Sequence, residues 1–189
     1  MAEHLADSLS GLEVEALRQA GRIADVGAGA GFPGLPLAVA LPAARVDLIE
    51  SSRRKAELIE RLARAAAVEN ARALPVRAEE WSAPGADGRD AYDAVTARAV
   101  APLAVLVEYA APLLREGGVL VAWKGARDEA EEEGGAAAAA SAGMAPREVV
   151  RMTPFAGARS RHLHVFEKVG PTPPGLPRRP GAARKRPLG

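Results

Sequence analysis

The sequence has no cysteine, few aromatic residues and almost no excess of charge of either sign. With no cysteine among 189 residues, disulfides, thiolate metal sites and cysteine nucleophiles are all excluded. Two tryptophans, two tyrosines and three phenylalanines are too few for a domain that stacks bases on a sheet of aromatics. A formal net charge of +1 gives no global basic field for nucleic acid. No apolar run reaches membrane-spanning length, and Glu3, His4 and Asp7 interrupt the start where a signal peptide would be apolar. The expectation is a soluble, cytoplasmic chain with no membrane partner, long enough for one domain with a sizeable core.

What is present begins with Arg22 to Glu50. A short apolar run, Ile23 to Val26, reads as a buried parallel strand. Glycines follow at 27, 29, 31 and 34, then an apolar segment, Leu35 to Leu41, of about two helical turns. A second strand, Val46 to Ile49, ends in Glu50. Strand, glycine loop, helix, strand and acid make a cofactor site for a nucleoside-like ligand. Glycine lets the backbone approach the ligand, and the acid accepts hydrogen bonds from ribose hydroxyls. Two patterns overlap here. Gly29, Gly31 and Gly34 satisfy G-x-G-x-x-G and suggest a dinucleotide. Gly27, Gly29 and Gly31, preceded by Asp25, satisfy the G-x-G-x-G of S-adenosylmethionine (SAM) methyltransferases. Pro33 has no amide to offer a pyrophosphate, which tilts the reading toward SAM.

The rest alternates. Residues 1–20 read as helical, divided near Gly11. A basic helix spans Arg53 to Ala67, with Ser51 or Ser52 as its cap. Strand three runs from Ala71 to Ala78, strand four from Tyr92 to Thr96, and strand five from Val119 to Trp123. Helices Leu103 to Leu114 and Ala126 to Ala142 flank strand five. Two closing strands, Arg147 to Met152 and His162 to Lys168, have no helix between them and should pair antiparallel. From Gly170 on, proline and five bases with no acid read as a disordered tail. The fold expected is α/β: Rossmann-like, doubly wound and mostly parallel, with an antiparallel edge.

Several stretches carry a family resemblance: DVGAGAGFPGLPLA, LIESSRRKAELI, VRAEEW, YDAVTARAVAPL, the Trp123-Lys124-Gly125 strand end and Arg161-His162-Leu163. Across about residues 3 to 169 the chain resembles the bacterial small-subunit ribosomal RNA methyltransferase G family, also called glucose-inhibited division protein B. The resemblance implies a class I SAM-dependent methyltransferase that methylates N7 of a guanine in 16S ribosomal RNA. It implies cofactor contacts at Gly27, Phe32, Glu50, Ala78, Glu79 and Arg98. Lys124, Arg161 and His162 would face the RNA. Ordinary alternatives exist for four of them: core packing for Phe32, a surface ion pair for Arg98, a solvated turn for Glu79, a structural hydrogen bond for His162. Family members carry a further N-terminal helical region, and Glu3 to Ser8 resembles its end. The expected organisation is therefore a remnant of that region in 1–20, a methyltransferase domain in 21–169 and a basic tail in 170–189, acting as a monomer on 16S rRNA or the small subunit.

Guanine N7 carries an in-plane lone pair and no proton, so no catalytic residue is expected; proximity and orientation supply the rate. Two other functions use the same features. An NAD(P)-dependent oxidoreductase would use Gly29, Gly31, Gly34 and Glu50. A non-catalytic RNA-binding protein would keep the fold without the chemistry.

Overall fold

The computed structural model describes residues 2–189. Seven strands form one sheet: β1 (Arg22–Val26), β2 (Arg45–Ile49), β3 (Ala71–Leu74), β4 (Tyr92–Arg98), β5 (Leu114–Lys124), β6 (Met144–Met152) and β7 (Arg161–Lys168). Their order is β3-β2-β1-β4-β5-β7-β6. The first five pair in parallel. β7 inserts antiparallel between β5 and β6. The chain order reverses beside β1, and ligands of open α/β sheets bind outside the carboxyl ends of the strands at such a switch point.

The helices are α1 (Ala2–Leu9), α2 (Glu15–Arg18), α3 (Gly34–Ala40), α4 (Arg53–Ala65), α5 (Ala78–Trp81), α6 (Leu103–Ala110), α7 (Glu129–Ser141) and α8 (Ala182–Lys185). β1 is buried at Ile23, Ala24, Asp25 and Val26, so both of its faces are covered. This is why it reads as a continuous apolar run rather than an alternation. Ile23, Val46, Leu48 and Ala94 pack with Leu17, Leu37 and Ile59 in one core layer. Ala24, Ile49, Tyr92, Val95 and Leu120 pack with α6, α7 and the C-terminal segment in the other. Gly11 lies in the short turn, Ser10–Glu13, between α1 and α2, with Trp123 against it; a Cβ there would be 2.5 Å from the indole.

The structure departs from the sequence reading at four places. β3 stops at Leu74, and Ala78 opens the single turn of α5 instead of ending the strand. Arg77 and Glu80 cap that turn, the Arg77 amide donating to Glu80 Oε2 at 3.2 Å. α6 ends at Ala110 and β5 begins at Leu114, so residues read as helix and turn belong to a longer strand. β6 starts at Met144 rather than Arg147.

The fourth is the C-terminal segment, read as disordered from its composition. It is packed instead. Leu176 and Ala183 are buried in the α6–α7 layer. Arg178 grips the buried Glu108 of α6 through Nε, at 2.6 Å, and Nη2, at 2.5 Å. The Lys168 ammonium, just before the segment, is fully buried. It donates to the Leu114 carbonyl at 2.9 Å and to Thr172 Oγ1 at 2.6 Å. Apolar anchors and buried charges that need partners hold the segment where proline content alone argues for disorder.

Candidate cofactor site and substrate face

β1 ends at Val26, and the chain turns at once through glycines at positive φ: +70° at Gly27, +60° at Gly29 and +93° at Gly31. A Cβ on Gly27 would also sit 2.7 Å from Val100, so the position requires glycine twice over. The turn is tied to β2, with the Gly27 amide donating to the Ile49 carbonyl at 2.9 Å. Glu50, next in the chain, holds the loop from the side. Its Oε2 accepts from the Gly29 amide at 3.0 Å and its Oε1 from the Ser52 amide at 2.8 Å. An ionised carboxylate has about four acceptor sites, so two bonds fix its direction and leave capacity for a ligand's hydroxyls. Ser52 marks the start of α4 without a side-chain cap bond.

Asp25 is fully buried under the loop. It accepts from the Gly34 amide at 2.9 Å and the Thr96 hydroxyl at 3.0 Å, joining loop, helix and β4. Burial pushes its carboxyl pKa up to about 7, against the opposing pull of those two donors.

A cavity of about 310 Å³ opens at the carboxyl ends of β1 and β2. Gly27, Glu50, Ala78 and Glu79 line it, with Val100 and Tyr109 opposite. Its volume lies at the lower end of the roughly 300–1,000 Å³ of small-molecule sites. A larger cavity of about 600 Å³ lies at the other end of the sheet, around Arg22, Asp47 and Arg72. There Asp47 is already neutralised by Arg72, Nε to Oδ1 2.5 Å, and the strand ends are the wrong ones for a ligand in this fold.

Phe32 and Arg98 stand apart from the first cavity. The Arg98 guanidinium lies over the Phe32 ring, 5.3 Å from its centroid, and pairs with Asp7 of α1 at 2.9 Å. Arg98 lines a second cavity of about 480 Å³ with His4, Asp7, Trp123, Lys124 and Arg161. The end of β4 divides the two spaces: Arg98 and Ala99 face one, Val100 the other. Ala99 is held at φ +56° in this divide, a strained conformation of the kind that persists only where surroundings impose it.

The three substrate-facing candidates behave differently. Arg161 lines the second cavity, 3.8 Å from Asp7. Lys124 lines it too, but forms an ion pair with Glu131 and donates to the Ala101 carbonyl at 3.1 Å. His162 is spent on the backbone, its Nδ1 2.8 Å from the Gly125 carbonyl oxygen. Asp7 was not anticipated from the sequence. It organises this face, accepting from Arg98 on its side chain and from the Trp123 indole on its carbonyl, at 2.8 Å. A lone aspartate on an amphipathic helix gives no signal of that role.

The amides at the start of α3 are already committed. Phe32 donates to the Ala28 carbonyl, Leu35 to Gly31 and Gly34 to Asp25, and Pro33 has no amide. None of these helix-start amides is left for a pyrophosphate, the anion a dinucleotide would bring there. A carboxylate at the β2 end with acceptor capacity to spare suits a nucleoside cofactor without phosphate.

The sequence matches the model of the family described as rRNA small subunit methyltransferase G (GidB) over residues 1–164. The chain belongs to this family. Among its relatives, the ribosomal RNA small subunit methyltransferase G of Rubrobacter xylanophilus is 44% identical, covering 100% of this chain and 73% of the relative. The protein of the same name from Pelotomaculum thermopropionicum is 41% identical over 98% of this chain and 77% of its own. Solved structures show the same fold at low identity. A SAM-dependent O-methyltransferase from Thermotoga maritima superposes with a TM-score of 0.64 at 17% identity, covering 88% of this chain and 66% of that one. Mitomycin 7-O-methyltransferase gives 0.69 at 16% identity, covering 87% and 54%. The antiparallel β7 inserted between β5 and β6 belongs to this Rossmann-like class I methyltransferase architecture. Among the described residues no helix is long and apolar enough to cross a membrane.

Proposed function

We propose that this chain uses SAM to methylate N7 of a guanine in 16S ribosomal RNA, acting as a monomer on the RNA or the small subunit. The observation that carries the reading is Glu50, pinned by the Gly29 and Ser52 amides at the mouth of a cavity that Gly27, Ala78 and Glu79 complete. Family membership supplies the class of substrate.

The residues present fit the cofactor. Gly27 lines the cavity beside Val100, where a Cβ would collide with the Val100 side chain. Glu50 takes the ribose hydroxyls, and Ala78 and Glu79 flank the adenine. Arg98, which lines the second cavity with Phe32 against it, would lie toward the methionine end. When bound, SAM supplies a methyl group on a sulfonium, which leaves as the N7 lone pair forms the new C–N bond and the C–S pair stays on sulfur. No proton moves, so the chain needs no general base. It must hold the guanine ring in line and exclude water, and such positioning is worth up to about 7–11 kcal/mol in favourable cases. Positive charge passes to the purine, and Asp7, which lines the second cavity, is an acid that would meet it. Lys124 and Arg161 serve RNA phosphates, Lys124 after leaving Glu131.

The test is methyl transfer from radiolabelled SAM to unmodified small subunits, followed by borohydride and aniline treatment, which cleaves RNA at 7-methylguanosine. Label in 16S rRNA with one new cleavage supports the reading. Label without cleavage overturns the N7 assignment, and absence of label from both subunits and naked 16S rRNA overturns the activity.

A further inference from the structure

The C-terminal segment reaches the cofactor cavity. Between Leu176 and Arg186 the chain runs as a strap along α6, fixed at four points. Leu176 and Ala183 are buried beside it. The Leu176 carbonyl accepts from Arg89 at 2.8 Å. Arg178 holds Glu108 and also donates to the Arg186 carbonyl at 2.6 Å, which closes the strap on itself. The Gly181 amide donates to Glu79 Oε1 at 2.9 Å. Past this last contact the chain turns into α8, and Arg184 comes to line the cavity opposite Glu50, donating to the Val100 carbonyl at 3.2 Å.

Resting on the SAM reading above, we propose that the strap is part of the cofactor site, with Arg184 contacting the adenosine end of the cofactor and Gly181 positioning Glu79. The cavity then has two carboxylates, Glu50 and Glu79, and two guanidiniums, Arg77 and Arg184, so its charge is balanced. A neutral nucleoside with hydroxyl and amino donors suits this set. The carboxylates accept, and the Arg184 guanidinium would lie against the purine face, an arrangement arginine makes more readily than lysine. The Gly181 amide occupies one oxygen of Glu79 and fixes its direction, leaving the other oxygen for the ligand. Arg184 is otherwise an exposed side chain whose contacts are the Val100 carbonyl and the Tyr109 hydroxyl, so its removal has little to undo in the fold.

The experiment is calorimetric titration of the full chain, wild type and Arg184→Ala and Arg184→Lys variants, with SAM, S-adenosylhomocysteine and adenosine. Melting temperature is recorded for each protein. The proposal expects Arg184→Ala to weaken all three ligands by the same factor, roughly ten-fold, the size of a partly desolvated cation–π contact. Melting temperature should be unchanged, and Arg184→Lys should recover only part of the loss. Unchanged affinity in Arg184→Ala overturns the proposal while leaving the SAM reading intact. Loss for SAM and S-adenosylhomocysteine but not adenosine overturns the adenosine contact by placing Arg184 at the methionine end. Failure of the wild type to bind SAM overturns both readings together.

Discussion

Arg178 and Glu108, 70 residues apart in sequence, form a two-bond ion pair at 2.6 and 2.5 Å that fastens the C-terminal strap to α6. The Glu108 side chain is 3% exposed and that of Arg178 30%. Arg178→Ala leaves a carboxylate buried without its partner and should cost about 1–3 kcal/mol in urea unfolding, the range for an unsatisfied buried polar group. Adding Glu108→Gln should recover part of this, because a neutral amide is cheaper to bury. Strictly additive losses in the double variant would contradict the pairing.

Gly27→Asp should abolish SAM binding. The new side chain enters at φ +70° and within 2.7 Å of Val100, and its charge faces that of Glu50 across the cavity. Equilibrium titration of the folded variant is the check, and unchanged affinity would move the cofactor elsewhere.

Asp25 gives a pH prediction. Its carboxyl titrates at 3.8 in the unfolded reference and about 7 in the fold. Between those values the folded chain holds a proton that the unfolded chain has lost, so this contribution to stability declines as pH rises, by up to ~1.4 kcal/mol per pH unit. Above about pH 7 it is constant. Asp25→Asn can still accept from Gly34 but carries no titrating proton. The stability of the wild type minus that of the variant should therefore fall from pH 4 to pH 7 and level off. A difference independent of pH across that window would contradict it.

Lys124 is held by Glu131, and Glu131 also accepts from the Leu103 amide at the start of α6 at 3.0 Å. Glu131→Gln keeps an acceptor for that amide and removes the charge. RNA affinity should rise in Glu131→Gln and fall in Lys124→Ala, with both differences shrinking as salt increases. Equal RNA binding by the wild type and both variants at low salt would remove Lys124 from the RNA face.

Local signals carried the parts of this architecture that were readable in the sequence. Ile23 to Val26, the glycines and Glu50 lie within thirty residues, and each states its requirement locally: a doubly buried strand, positive φ, an acid at a strand end. Strand boundaries were less visible. Leu114 to Gly118 sits in β5 because it pairs near the register shift between Tyr92 and Ala94, and pairing partners leave no trace in a local pattern. The strap was illegible for a related reason. Its composition is that of a disordered tail, and what orders it is the placement of Glu79 and Glu108 far upstream and of the buried Lys168 just before it. Asp7 was missed because its partners Arg98, Trp123 and Arg161 come from three separate strands.

Calorimetric titration of the full chain with SAM, with NADH in a parallel cell, decides whether the cavity beside Glu50 is a SAM site. SAM should bind with micromolar affinity at one site per chain, and NADH should give no heat. Binding of NADH without SAM would contradict a SAM site and return the glycine loop to a dinucleotide.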